Sequence, residues 1–412
     1  MDKFFNEKMA NILQKDNLVI VGNRFNGKWI KIPTECYKAI EYSVEKEIPI
    51  YNTIDIFQDI EDKIYYNHIL ENLDKIGLLE NFIIKNVIRN FIPIVSLAIT
   101  NRCNLNCDYC CKDSNKNEID VLNIDDLKMT MNKIVKLNPV NISISGGEPL
   151  LRKDFKEFID YTKTIYNNKL ILCTNATLIN SNNAKYISNN FYAVEISLDG
   201  YDEESCSEIR GKGVFNKVLK SIDLLKQNGC ERISLSIVVG KHNFHNISKF
   251  EELNFKLGTT SMIRYFSSFG RGMNYNNKYL EKDSLFFYPS DIYENIKFEE
   301  IDMGHCNAGV NQLHISSEGD IFPCPNLSDD KFKICNIKEF DFSSSDKLYK
   351  RDYDAFKNFD YIKENNIEKC KNCDINVFCN TCPAHINLLK DNKIAFDKYC
   401  KFQKENLHHK VW

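Results

Sequence analysis

Three cysteines fall in one short stretch, Cys103-Asn104-Leu105-Asn106-Cys107-Asp108-Tyr109-Cys110, and nothing else in the chain constrains its fold as strongly. An apolar run from Ile94 to Thr100 precedes them and reads as a buried strand. Thiolates bunched this closely hold a metal or an iron–sulfur cluster. A [4Fe–4S] cluster that only carries electrons takes four cysteine thiolates, one per iron. A loop of three leaves one iron able to bind something else. Cys111 follows at once, but adjacent cysteines point in different directions and do not serve one cluster together.

The chain has 412 residues, which predicts two or three domains. With 43% apolar and 27% charged residues it is a core-forming globular protein. A net charge of -3 argues against a general grip on nucleic acid or an anionic membrane surface. The stretch Met1 to Lys8 is polar and mixed in charge, without the apolar core of a signal peptide. No later stretch is long enough to span a bilayer. The expectation is a cytoplasmic protein with no nucleic-acid or membrane partner. In that setting, closely spaced members of the 16 cysteines read as metal ligands rather than disulfides.

Residues 1–92 form a first module. Leu18 to Val21 and Trp29 to Ile32 flank Gly22-Asn23-Arg24-Phe25-Asn26-Gly27, a hairpin signal. Helical patterns follow at Glu35–Val44 and Asp55–Ile76, ending in Gly77-Leu78-Leu79. This order resembles the small winged-helix module that grips the leader of ribosomally made precursor peptides. Such a module binds an extended peptide along a sheet edge. A DNA-binding winged helix is the other reading, which the balanced charge disfavours; a plain packing domain is the third.

Residues 93–268 alternate strand and helix. Strands are expected at 94–100, 141–145, 170–174, 193–198, 233–239 and 261–267, with helices near 124–137, 153–166, 181–189, 214–228 and 244–257. That alternation predicts a parallel sheet joined by right-handed crossovers. Ligands in such folds sit at the carboxyl ends of the strands, where the Cys103 loop lies. The second strand ends in Ser145-Gly146-Gly147-Glu148-Pro149, glycines that let a ligand approach and a carboxylate at the strand end.

Cys103-x3-Cys107-x2-Cys110, with Tyr109 before the last cysteine and Gly146-Gly147-Glu148-Pro149 beyond it, resembles the radical S-adenosylmethionine (SAM) enzymes. The resemblance implies an α/β fold with a partial (β/α)6 TIM-like barrel. It implies a [4Fe–4S] cluster on Cys103, Cys107 and Cys110 whose open iron chelates the amino and carboxylate groups of S-adenosylmethionine. One electron then cleaves the sulfonium to methionine and a 5′-deoxyadenosyl radical. By the same resemblance Tyr109, Gly146, Gly147, Glu148, Asn175, Ser197 and Arg210 are cofactor-binding residues, Arg210 as a guanidinium for a carboxylate. A linker of residues 269–303 is expected to cross the barrel mouth.

Residues 304–412 carry a second field of cysteines. Cys306 and Cys324 bracket a hairpin around Gly319; Cys370-x2-Cys373-x5-Cys379-x2-Cys382 and Cys400 follow. Taken alone, the Cys-x2-Cys pairs read as zinc knuckles. Behind such a barrel the field resembles SPASM, a cysteine-rich extension that holds two auxiliary [4Fe–4S] clusters, which makes three clusters in all. The resemblance places Cys370, Cys373, Cys379 and Cys400 on an outer cluster and Cys306, Cys324 and Cys382 on an inner one. The last gap is two residues here where the family usually has three. Seven ligands leave the inner cluster one short, to be completed by Cys335 or by a substrate thiolate. Cys36, Cys111, Cys173, Cys206 and Cys230 read as core thiols, and His305 and His385 as hydrogen-bonding neighbours of the clusters.

The function expected from these features is an anaerobic radical SAM peptide maturase of ribosomally synthesised, modified peptides (RiPPs). Its leader-bound precursor peptide gains a thioether bond from a Cys sulfur to an α-carbon, and its electrons come from a donor such as flavodoxin or ferredoxin. A C–C or C–O crosslink, epimerisation and formylglycine formation are alternatives within the class. A redox-sensing iron–sulfur regulator is the alternative outside it.

Overall fold

The computed structural model describes residues 2–81, 91–290, 292–294, 300–304, 306–341, 345–362, 366–379 and 382–412. His305, residues 82–90 of the expected first module, and 291 and 295–299 of the expected linker lie outside the described residues.

The chain begins with β1 (Phe4–Phe5), β2 (Ala10–Lys15), β3 (Leu18–Asn23), β4 (Trp29–Pro33), α1 (Thr34–Glu45), α2 (Ile60–Lys75) and β5 (Leu79–Glu80). β2, β3 and β4 form an antiparallel sheet in that order, and β1 pairs with β5. The β3–β4 hairpin closes as the sequence predicts. Asn23 N–H donates to the Lys28 carbonyl at 2.8 Å, and the Asn23 side chain accepts from Phe25 N–H at 2.9 Å. Asp59 caps α2 by accepting from Glu61 N–H. β2 was not expected; its Ala-Asn-Ile-Leu-Gln-Lys sequence has too little apolar alternation to announce a strand. One sheet face, with Val19, Val21 and Ile32, packs on Ile40, Tyr66, Leu70 and Leu73 of the helices.

Next come β6 (Ile94–Ala98), α3 (Ile124–Val135), β7 (Asn141–Ser145), α4 (Phe155–Ile165), β8 (Lys169–Thr174), α5 (Ala184–Asn190), β9 (Ala193–Ser197), α6 (Glu203–Arg210), α7 (Val214–Gln227), β10 (Ile233–Val239), α8 (Ile247–Leu257) and β11 (Thr260–Tyr265). The six strands lie parallel in chain order, β6 to β11. α6 is an additional helix, capped by the reciprocal bonds of Asp202 and Ser205. Its polar run carries only Cys206 and Ile209 inward, so periodicity hides it.

The strands alternate, unlike the doubly buried strands of most parallel sheets. Val95, Leu97, Ile142, Ile144, Leu172, Val194 and Ile196 are fully buried in the principal core. The intervening residues (Ser96, Ser143, Ser145, Glu195, Ser197) are half-buried and polar. A sheet with one apolar and one polar face cannot close on a dry core. It remains a partial barrel whose interior is suited to a polar ligand.

After α9 (Asn276–Tyr279), strands β12 (Gln312–Ile315), β13 (Asp320–Phe322) and β14 (Cys335–Asn336) continue the same sheet, giving the order β11-β10-β9-β8-β7-β6-β12-β13-β14. The predicted hairpin turns at Gly319, φ 87°. Its attachment to the barrel, β12 parallel to β6, has no local signature. α10 (Ser345–Tyr349), α11 (Asp354–Tyr361), α12 (Glu368–Lys371), α13 (Pro383–Leu389) and α14 (Lys393–Val411) complete the chain.

These elements make two compact units. The first is Met1–Ile88 with Ser290–Cys306 and Tyr361–Trp412; the second is Arg89–Pro289 with Asn307–Asp360. Within the first, the other face of the β2–β4 sheet meets the C-terminal segment. Ile20, Met303, Ile375, Val377, Phe378, Leu407 and Val411 form one core. Trp29 packs edge-on to Phe378 at 4.8 Å and donates its indole N–H to the Ile301 carbonyl. No described helix is long and apolar enough to cross a membrane.

Candidate functional site

The loop after β6 carries Cys103, Cys107 and Cys110, and neighbouring chain holds it in place. Cys103 N–H donates to the Asn115 carbonyl. Arg271 grips the loop from the segment after β11. Its guanidinium donates to the carbonyls of Cys107 (3.0 Å) and Ser114 (2.6 Å) and pairs with Asp113 (2.8 Å). N–H groups also point at sulfur: Leu105 N at 3.5 Å and the Asn175 amide at 3.9 Å from Cys103 Sγ, and Ser114 N at 3.3 Å from Cys110 Sγ. Such donors stabilise thiolates, so this donor set suits a cluster. Burial pushes the free Cys103 thiol up, and the Cys107 thiol to about 11. Metal binding therefore displaces protons from this loop.

Gly146 and Gly147 also do something that the ligand approach expected of them did not include. A Cβ on Gly146 would stand 2.1 Å from the Thr100 carbonyl oxygen, and one on Gly147 2.2 Å from that of Arg102. Gly147 and Glu148 N–H bond those same carbonyls, each at 2.8 Å. The glycines let the strand end dock against the base of the cysteine loop, and Gly146 has φ 139°. The Glu148 carboxylate is fully buried and accepts from Thr174 Oγ1 (2.7 Å), Asn175 N (2.7 Å) and Leu150 N (3.1 Å). Burial pushes its pKa up, and those bonds offset part of the rise. Asn175 thus links Glu148 to the cysteine loop, its amide also donating to Asn104 Oδ1 at 2.9 Å.

Tyr109 and Arg210 meet on Asp199, which was not among the expected site residues. Asp199 adopts φ 63°, accepts Val238 N–H at 2.6 Å, and bonds both the Tyr109 hydroxyl and Arg210 Nε. Arg210 also donates to the Tyr109 oxygen at 2.6 Å. Burial works against charge on Arg210, but Asp199, with Tyr109 and Cys107 adding to it, more than offsets that and holds the guanidinium charged. In the structure the carboxylate beside Arg210 is that of Asp199. Ser197 lies opposite Ser236 on the polar interior face. Glu195 and Arg264 pair there at 3.7 Å. Cys173 is no core thiol: the β8–β9 register sets it opposite Glu195, with its sulfur 3.6 Å from that carboxylate. Cys36, Cys206 and Cys230 are buried thiols.

In the first unit, Cys370, Cys373, Cys379 and Cys400 line one cavity of about 230 Å³, with Lys369, Asn376 and Tyr399. A zinc ion would draw four sulfurs to about 2.3 Å from a single point. Among the described residues no group of three or more His, Cys, Asp or Glu is arranged to hold a single ion. A cavity walled by four thiols suits a cluster with one ligand per iron. Cys306 and Cys382 belong to the first unit and Cys324 to the second. Cys335 sits opposite Ile321, and Ile321 opposite Ile315, which shares the helix-covered face with Leu97. It packs against the principal core there, and burial pushes its thiol to about 11. Burial pulls the His385 imidazole to about 4.

Comparison with known proteins agrees with this geometry. The radical SAM superfamily matches residues 97–253, and the SPASM iron–sulfur cluster-binding domain matches residues 306–374. A mycofactocin maturase of Mycolicibacterium smegmatis is 28% identical over 58% of this chain and 66% of its own length, so the chain spans just under two thirds of that relative. The subtilosin biosynthesis protein AlbA of Bacillus subtilis is 26% identical over 59% of this chain and 56% of its own. Streptococcus suis SuiB bound to S-adenosylmethionine has the same fold, with TM-score 0.55, 16% identity, and coverage of 95% of this chain and 98% of that one. The protein anSMEcpe with bound AdoMet and a peptide follows at TM-score 0.53 and 17% identity, covering 76% and 99%. The cysteine loop docked on a Gly-Gly-Glu strand end, the six-stranded partial barrel and the cysteine field behind it place this chain in the radical SAM superfamily, as a SPASM-bearing member that uses S-adenosylmethionine and [4Fe–4S] clusters.

Proposed function

We propose that this protein is a radical SAM peptide maturase that installs a thioether crosslink in a ribosomally made precursor peptide. When bound, the cofactor and its cluster supply a 5′-deoxyadenosyl radical for hydrogen abstraction. Around it, Arg271, Asn175 and Gly147 orient the cysteine loop, and the polar interior face of β6–β11 receives the peptide.

The N-terminal module is the leader site in this reading. Among the described residues β4 stands at the margin of the sheet, paired with β3, and the added leader strand is assigned to that margin in this reading. α2 packs beside β4 and carries Ile60 and Ile64, 67% and 55% exposed, one helical turn apart. A peptide strand on β4 has an apolar stripe on which to rest alternate side chains. Similarity along 95% of the chain to SuiB, which was also solved bound to its precursor peptide SuiA, agrees with this role.

The observation that carries the thioether is the placement of Cys335. Its partly buried side chain packs against the helix-covered core; in this reading the inner set therefore keeps three cysteines, and a substrate thiolate is the fourth ligand. An external flavodoxin or ferredoxin supplies electrons.

The test is anaerobic reconstitution with the short peptide encoded beside the gene. About twelve irons per chain, 5′-deoxyadenosine release and a product two hydrogens lighter that has lost one alkylatable thiol are expected. A lighter product with every thiol intact would establish a carbon–carbon or carbon–oxygen bond instead. Failure to form 5′-deoxyadenosine would leave only the regulatory reading.

A further inference from the structure

A second cavity, also about 230 Å³, opens at the carboxyl end of β6 against the β12–β13 hairpin. It lies wholly within the barrel unit and uses none of the cysteines. Thr100 and Gly146, which anchor the cysteine loop, form one wall; His314, Ser316 and Phe322 form another. His314 stands opposite Ser96 in the β6–β12 ladder, on the polar interior face. It is 2% exposed. Its Nδ1 lies 2.8 Å from Ser96 Oγ, while Nε2 is buried without a partner.

Buried ring nitrogens are nearly always hydrogen-bonded, so an orphaned one that lines a cavity marks the place of a ligand atom. A water occupies about 30 Å³, so this space holds several waters or one amino-acid side chain. Burial, with the Lys112 ammonium adding to it, pulls the His314 pKa to about 3, so the imidazole is neutral. The neutral ring carries one proton; in the tautomer that donates Nδ1–H to Ser96 Oγ, Nε2 is an acceptor. The charged groups around the cavity are mostly acidic: Glu318, Asp320 and Asp330 against Lys112. Asp320 is paired with Lys333 at 2.8 Å, and Lys112 donates to the Pro325 carbonyl at 3.1 Å while keeping its charge. Glu318 and Asp330, both exposed at the rim, remain to meet a ligand's charge.

We propose that this cavity is a substrate subsite for a cationic side chain, lysine or arginine, of the peptide to be modified. His314 Nε2 accepts from the ammonium or guanidinium N–H at the floor, and Glu318 and Asp330 balance its charge at the mouth. The apolar stem lies along Phe322 and Ala98. Seating that side chain brings the adjoining peptide backbone to the strand ends that hold the cysteine loop. The inference rests on the peptide-maturase reading for its substrate, but its test does not.

The experiment uses the full-length reconstituted protein with 15N-labelled imidazoles, titrated with N-acetyl-lysine methylamide and, as a control, N-acetyl-norleucine methylamide. Expected are a saturable shift of the His314 Nε2 resonance with the lysine probe only, and about tenfold or greater weakening in His314→Phe. Glu318→Gln and Asp330→Asn lie on the exposed rim, where folding is not at stake, and each should weaken binding about two- to fivefold. A norleucine shift equal to that of lysine, or rim variants that bind lysine unchanged, would overturn the subsite. Lysine binding without any peptide product would instead count against the maturase reading alone.

Discussion

The two cysteine-bearing sites are built on opposite plans. In the barrel unit the protein shapes the site. Cys103, Cys107 and Cys110 come from one loop, and Arg271, Asn175 and the docked Gly146-Gly147 hold that loop from three other segments. In the first unit the four cysteines come from α12, the turn after it and α14, and enclose a cavity. The backbone bonds of Cys370, Cys373 and Cys379 are short-range turns. What fixes this region is its apolar contact with the β2–β4 sheet. One site is held by polar bonds to its own loop; the other is held by apolar contact with a module distant in sequence.

The strongest challenge to that contrast is removal of metal ligands. Cys373→Ala with Cys379→Ala should loosen α12–α14 and, through Ile20 and Trp29, the β2–β4 sheet, raising amide exchange in both. Cys107→Ala should leave exchange in β6–β11 unchanged. Equal loosening in the two units would end the comparison. Gly147→Ala comes next: its Cβ would meet the Arg102 backbone, which cannot yield, at an expected cost of about 3 kcal/mol and loss of the loop's cluster, read as iron per chain. Arg271→Ala removes three bonds to the loop, about 2 kcal/mol, and should speed cluster loss to a chelator without changing the melting of the first unit.

Trp29→Ala tests the other plan. The side chain is only half-buried, so about 2 kcal/mol is expected, read as a lower unfolding midpoint of the first unit with the barrel unaffected. The smallest effect is on pH. Burial depresses the folded pKa of His314 to about 3 and of His242 to about 4, below the ordinary 6.5. The unfolded chain then binds more protons, so the barrel loses stability as pH falls from about 6.5 towards 4. His314→Phe should flatten that slope in denaturant titrations.

Six parallel strands, the hairpin at Gly319 and the cysteine loop were legible in the sequence, because alternation, turn residues and close spacing are properties of neighbouring residues. The outer set of four, drawn from family resemblance, lines one cavity in the structure. Asp199 was not among the expected site residues, because its partners Tyr109 and Arg210 lie 90 residues before it and 11 after it. Arg271 lay in a stretch read as linker, and its contacts reach back more than 150 residues.

By itself, then, the sequence determined the chemistry: three thiols in a loop, a Gly-Gly-Glu strand end and a later field of cysteines are local facts. Tertiary structure alone decided which groups oppose one another. It turned Gly146 and Gly147 into a dock for the loop, put Cys335 on the core face, and left His314 Nε2 open to a cavity. The physical reason is register. β12 joins β6 through hydrogen bonds between residues more than 200 apart, and a slip of one residue would turn each side chain of the hairpin to the face it now avoids, His314 to the core and Cys335 to the interior.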